Sequence, residues 1–151
     1  MQHPWYFIKS VLKIIFRHPI TGVTIIARLP DDKIVLIRRS DTKQWGLPGG
    51  IIDWGEDLAS SLKRELREET GLELVSIERL VGVYTSFERD PRIHSISILV
   101  EAKVQGQLFT RDPEEVLEVA AFNREDLPNG LYSHDNQQQL RDYLQGGTFI
   151  R

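Results

Sequence analysis

The sequence predicts an α/β fold built on a mixed β-sheet. Three observations carry this. Runs rich in β-branched and aromatic residues recur at 23–29, 34–37, 74–87, 94–104 and 116–122. Two stretches of helical character, 57–70 and 133–145, lie among and after them. Hydrophobic residues make up 40% and charged residues 27% of 151 positions, which suits one domain with a real core and excludes wholesale disorder.

The elements follow in chain order. Residues 5–16 (WYFIKSVLKIIF) are apolar but broken by Lys9 and Lys13, too short and too charged to span a bilayer. They also lack the unbroken apolar stretch and small-residue end of a signal peptide. Lys9, Lys13 and Arg17 recur every four residues, so a helix carries them as one basic strip opposite Phe7, Ile8, Val11, Leu12 and Ile15. Residues 1–20 are therefore read as a basic amphipathic extension and 21–151 as the domain proper. The extension is expected to dock on the domain or on a second copy in a homodimer. Peripheral membrane contact through residues 5–17 is the alternative.

Val23–Leu29 reads as a buried strand, Pro30-Asp31-Asp32 as a turn, and Ile34–Ile37 as the returning strand of a hairpin. Residues 40–50 read as loop, closing with Leu47-Pro48-Gly49-Gly50. Asp57 caps a helix over 57–70, Leu58, Ala59, Leu62 and Leu66 form its stripe, and Gly71 ends it. Leu74–Phe87 holds one or two strands, and Glu88–Arg92 is a charged turn. His94–Val104 is a strand with Ile96, Ile98 and Val100 on one face; His94 shares their parity, which predicts a core-edge histidine. Val116–Phe122 is read as the last strand, followed by a helix carrying Leu140, Tyr143 and Leu144.

Composition narrows the chemistry. The chain has no cysteine, which excludes a disulfide scaffold and cysteine-ligated zinc and fits a cytoplasmic setting. Nineteen basic residues against 22 acidic ones lack the basic footprint of a nucleic-acid binder. Residues 50–72 alone hold six acids and three bases, so this segment carries the whole net charge of −3.

Glu65, Glu68 and Glu69 stand at i, i+3 and i+4, on one side of the 57–70 helix. With Glu65 at zero and about 100° per residue, Glu69 lies at roughly +40° and Glu68 at roughly −60°, beside an apolar stripe at roughly +20° to +120°. Taken alone, this spacing fits a charged face held by ion pairs such as Arg64 with Glu68. It also fits oxygen ligands for a hard divalent cation, Mg²⁺ or Mn²⁺.

The wider pattern runs Gly50, five residues, Glu56, seven residues, Arg64-Glu65-Leu66, one residue, Glu68-Glu69, one residue, Gly71-Leu72. It resembles the Nudix box, GX5EX7REUXEEXGU with U aliphatic, at all nine specified positions. The resemblance extends over roughly residues 22–145 and implies a Nudix-type α/β/α sandwich with a mixed β-sheet. It further implies divalent-metal-dependent hydrolysis of a nucleoside diphosphate linked to another group. Carried over through the box, Glu65, Glu68 and Glu69 are implied metal ligands, with the Gly50 carbonyl a further one. Glu65 is also an implied base for the attacking water, oriented by Arg64. Glu56 braces the loop or adds a metal contact. A further acid outside the box is expected at Glu114 or Glu115.

Arg38, Arg39, Arg89 and Arg92 are candidate phosphate holders, being planar donors. Trp45, Tyr84 and Phe87 are candidates for stacking on a base, against a plain core role. The stretch Arg89-Asp90-Pro91-Arg92 followed by His94 resembles one in ADP-ribose-type Nudix members, so ADP-ribose or a related nucleotide sugar is the favoured substrate. A house-cleaning pyrophosphatase for modified nucleoside triphosphates is the sibling reading. A non-catalytic nucleotide-binding regulatory module is the reading from another class; the intact box, and a length that leaves no room for an appended DNA-binding domain, speak against it. A membrane-surface adaptor rests on residues 5–17 alone.

Overall fold

A computed structural model describes residues 7–12, 18–90, 92–130 and 132–151. Among the described residues eight strands form one sheet: β1 (Ile20–Arg28), β2 (Ile34–Arg39), β3 (Trp45–Gly46), β4 (Gly49–Ile51), β5 (Glu73–Tyr84), β6 (Ser95–Gln105), β7 (Val116–Phe122) and β8 (Phe149–Ile150). The order is β3-β2-β1-β6-β5-β8, with β4 pairing β1 and β7 pairing β2. The β1–β6 and β5–β8 pairs are parallel and the others antiparallel, so the sheet is mixed.

Side chains alternate across a strand, so the central strands feed two cores. Val23, Ile25 and Ala27 of β1 join Val35, Val100 and Ala102 on one face, where the helix α1 (Leu58–Glu65) and the turn after it add Leu62 and Leu66. Ile26, Ile34, Leu36 and Leu99 gather on the other, covered by Leu140 and Tyr143 of the helix α2 (Asn136–Gln145). Burying each such leucine contributes about 1.5–3 kcal/mol. The result is the α/β/α sandwich.

The caps behave as read. The Asp57 carboxylate accepts the Ser60 N–H at 2.8 Å, and Gly71, at φ 73°, closes the helical run. Between them α1 widens at Leu66 into a five-residue π-helical segment, Leu66–Thr70.

Several boundaries differ from the sequence reading. The loop over 40–50 contains β3 and β4, ladders of two and three residues that are too short to show a period. Residues 73–84 form one strand whose register slips three times against β6, which blurs its alternation. Val116–Phe122 is not the last strand, because β8 follows α2. His94 is exposed rather than at the core edge: its Nε2 lies 3.1 Å from the Thr85 carbonyl and its ring meets Phe87 edge-on.

Residues 7–12 are helical and leave Phe7, Ile8, Val11 and Leu12 exposed. The rest of the amphipathic strip, including Lys13, Ile15 and Arg17, lies outside the described residues, as does Pro91. Among the described residues no helix is long and apolar enough to cross a membrane.

Candidate functional site

Two elements make the site. β4 runs beside β1, with Gly50 opposite Val23, and α1 packs over the same edge and ends on Glu65. A side chain on Gly50 would begin 2.2 Å from Glu65 Oε1, so any larger residue there displaces the Glu65 carboxylate.

Arg64 organises the acids around it. Its Nε donates to Glu56 Oε1 at 2.9 Å, one terminal nitrogen donates to Glu56 Oε2 and the Ile51 carbonyl at 2.9 Å each, and the other donates to Glu65 Oε1 at 2.7 Å. That last nitrogen also lies 3.5 Å from Glu68 Oε2. Glu56 in turn accepts the Asp53 N–H at 3.1 Å, so it braces the loop that enters α1. Hydrogen bonding to Arg64 holds the Glu56 carboxyl down at about 2.

The three box carboxylates are not equivalent. Glu69, in the π-helical segment, is only 3% exposed, and Glu65 is 8% exposed. Glu68, on the far side, keeps half of its side chain in solvent. Glu69 Oε2 accepts the Gly49 N–H at 2.8 Å. Burial pushes Glu69 up to about 8 against that one hydrogen bond, with the charges of Glu65 and Glu115 adding to the rise. Burial also raises Glu65, opposed by Arg64 and reinforced by Glu68 and Glu115.

These groups line a cleft of about 430 Å³ together with Arg39, Asp112 and Glu115. Glu115 faces it; Glu114 does not, and instead offers its backbone carbonyl to the Ser40 hydroxyl. Asp112, whose carboxylate accepts the Glu115 N–H at 3.2 Å, went unread in the sequence because Asp-Pro at that place signals only a turn.

A second cleft, of about 210 Å³, lies on the other side of β4 and shares Arg39 and Gly49–Ile51 with the first. Arg89 lines it, donating to Asp135 at 2.6 Å and to the Ser95 carbonyl at 2.6 Å. His134, Asn136, Ser97 and Thr24 line it too; sequence reasoning missed all four, since each passes for a cap or a strand-end polar residue.

The remaining candidates lie elsewhere. Arg38 neighbours Arg39 on a strand and so points to the opposite face, against Glu118 at 3.5 Å, outside both clefts. Arg92 is 62% exposed and bonds Asp90 and His134 at the rim. Trp45 packs edge-on against Phe122, and Tyr84 is buried with its hydroxyl donating to Asp142 at 2.9 Å, so both belong to the core. Phe87 is exposed and meets only His94 edge-on among the ring pairs of the described residues.

Among the described residues no three carboxylate or histidine groups already converge on one point. Glu65 is turned to Arg64 and Glu69 to Gly49. The donor set nonetheless suits a hard divalent cation: it is all oxygen, lies in one cleft, and includes two buried carboxylates with few donors.

Comparison with known proteins gives the family and the fold. The NUDIX domain family model matches residues 18–143. An ADP-ribose pyrophosphatase of Methanocaldococcus jannaschii is 35% identical over 134 residues, covering 86% of this chain and 76% of that protein. A crystal structure of a MutT NUDIX hydrolase from Burkholderia pseudomallei superposes with a TM-score of 0.72 at 26% identity, covering 83% of this chain and 98% of that one. The NUDIX domain of Shewanella oneidensis NrtR, solved in complex with ADP ribose, superposes with a TM-score of 0.71 at 24% identity, over 96% and 98% of the two chains, a likeness of fold. With the box intact, its acids gathered in one cleft and the family model spanning most of the sequence, the chain belongs to the NUDIX family of hydrolases.

Proposed function

We propose that this chain hydrolyses the pyrophosphate bond of a nucleoside diphosphate linked to another group, with ADP-ribose or a related nucleotide sugar as favoured substrate. The observation that carries the reading is the pair of clefts sharing β4: an acidic one lined by Glu65, Glu68, Glu69 and Glu115, and a second one large enough to take part of a nucleotide. The archaeal relative named an ADP-ribose pyrophosphatase supports the substrate. Action in the cytoplasm accords with this chemistry.

Glu65, Glu68 and Glu69, with the Gly50 carbonyl, would hold Mg²⁺ or Mn²⁺, which supplies charge neutralisation on the diphosphate and lowers the pKa of attacking water. The chain's own groups do the rest. Arg64 keeps the Glu65 carboxylate in place, where it accepts a proton from the water that attacks phosphorus. Arg39, which faces both clefts and holds Asp41 by two hydrogen bonds of 3.0 and 3.1 Å, is the phosphate donor nearest the acids. Arg89 and Asp135 line the part of the second cleft that receives the sugar or nucleoside. Glu115 adds negative charge beside the box. Catalysis is assigned to residues 21–151.

The test is product analysis. ADP-ribose with Mg²⁺ or Mn²⁺ should give AMP and ribose 5-phosphate, and a chelator should stop it. Faster turnover of oxidised nucleoside triphosphates than of every diphosphate derivative would replace this substrate by the house-cleaning reading.

A further inference from the structure

We infer that Asn136, outside the box and at the start of α2, is a positioning residue for the backbone turn that both clefts share. The inference rests on the functional reading above and extends it to a side chain 67 or more positions from the box acids by number.

The turn Leu47–Gly50 does two things at the acidic cleft. The Gly49 N–H bonds Glu69, and Gly50 is the floor on which the Glu65 carboxylate lies. Its position therefore sets where both carboxylates stand. The turn is tied on one side by the Pro48 carbonyl, which accepts the Ile25 N–H at 2.9 Å. On the other side the Leu47 N–H donates to Asn136 Oδ1 at 2.9 Å, a buried bond between residues 89 apart.

The Leu47 N–H can only donate, and the hydrogen bonds at the second cleft orient the Asn136 amide to match it. Asp135 accepts the Arg89 N–H at 2.6 Å through the same oxygen that faces Gln139. Gln139, fully buried, must present its NH₂ to Asp135, at 3.2 Å, and to the Ser97 hydroxyl, at 3.1 Å. Its oxygen then faces the Asn136 NH₂ at 3.0 Å, and the Asn136 oxygen is left for Leu47. Reversing either amide would set like dipoles against each other. The ion pair at the second cleft thus fixes, through two amides, the anchor of the turn at the first. Gly46 completes the fit, because a side chain there would begin 2.8 Å from Asn136 Oδ1.

A purely architectural bond would hold α2 to the sheet and nothing more. The two roles separate in cation affinity measured without substrate. Mn²⁺ titration by calorimetry should show Asn136→Leu binding about 10-fold or more weakly than wild type, the usual scale for outer partners of metal ligands. Gly46→Ala removes no polar group yet pushes the amide off Leu47, and should weaken Mn²⁺ as Asn136→Leu does. Amide exchange at Leu47 and Gly49 should quicken in both weakened variants. If Asn136→Leu does not fold, Gly46→Ala decides. Variants that melt earlier but bind Mn²⁺ and exchange these amides as wild type does overturn the inference. A wild-type protein that binds no Mn²⁺ overturns the functional reading instead.

Discussion

Four buried carboxylates divide this molecule into two regimes. On the α2 side, Glu101 receives hydrogen bonds from Arg28 at 2.6 Å, Arg79 at 2.8 Å and the Tyr143 hydroxyl at 3.1 Å. Asp142 receives two from Arg151 and one each from Tyr84 and Gln138. Burial alone would raise both acids, but these donors overcome it and hold them below the ordinary range. On the α1 side, Glu69 has one backbone N–H and Glu65 one arginine, and burial lifts both. Burying an acid is therefore ordinary in this fold. Burying it with too few donors is what sets the box cleft apart, because such charge is costly until something positive arrives.

The contrast can be broken by isosteric amides, which remove charge and keep size. The largest expected effect is Glu65→Gln, which should lower kcat by about 10²–10⁴-fold through loss of the base while leaving KM nearly unchanged. Wild-type turnover in that variant would move the base to Glu115. Asp142→Asn should spare kcat but destabilise by about 2 kcal/mol, less than for a fully buried pair because Arg151 is 43% exposed. Thermal unfolding checks it, at roughly 2–4 °C per kcal/mol for a chain of this size.

Glu69→Gln should do the reverse in the presence of chelator at pH 8 or above, raising the melting temperature by a few degrees, since a desolvated charge is gone and Gly49 keeps its acceptor. The smallest effect is in pH dependence. Glu69, raised to about 8 when folded, gives stability that is full below its unfolded value near 4.5 and fades as pH rises through 8. Glu101 and Asp142, lowered when folded, give stability present above their unfolded values and lost as pH falls. Metal-free protein should therefore soften at both ends, with Glu69→Gln flattening only the alkaline limb. Equal flattening of both limbs would dissolve the distinction.

How much of this could be read in the sequence depends on where the information lies. Glu65, Glu68 and Glu69 were legible because helical spacing is local, whereas the π-helical widening at Leu66–Thr70 that carries Glu68 and Glu69 left no mark in that spacing. Arg38 and Arg39 looked alike as letters, whereas strand alternation sends only Arg39 into the clefts. Glu115 and Glu114 are likewise adjacent, and only Glu115 lines the site, in a loop before β7 that is tied through Ser40. Of the second cleft's side chains only Arg39 and Arg89 were legible as candidates; Thr24, Ser97, His134 and Asn136 meet there through long-range pairing that leaves no local period.

The central claim is that the box acids are held in excess of their donors for a divalent cation. It is tested most directly by melting wild type and Glu69→Gln at pH 8 with chelator and with Mg²⁺ or Mn²⁺. At 100 times its dissociation constant the cation should stabilise wild type by about 2.7 kcal/mol, a rise of roughly 5–10 °C, and should shift Glu69→Gln far less. Superimposed wild-type curves across millimolar cation would contradict the account.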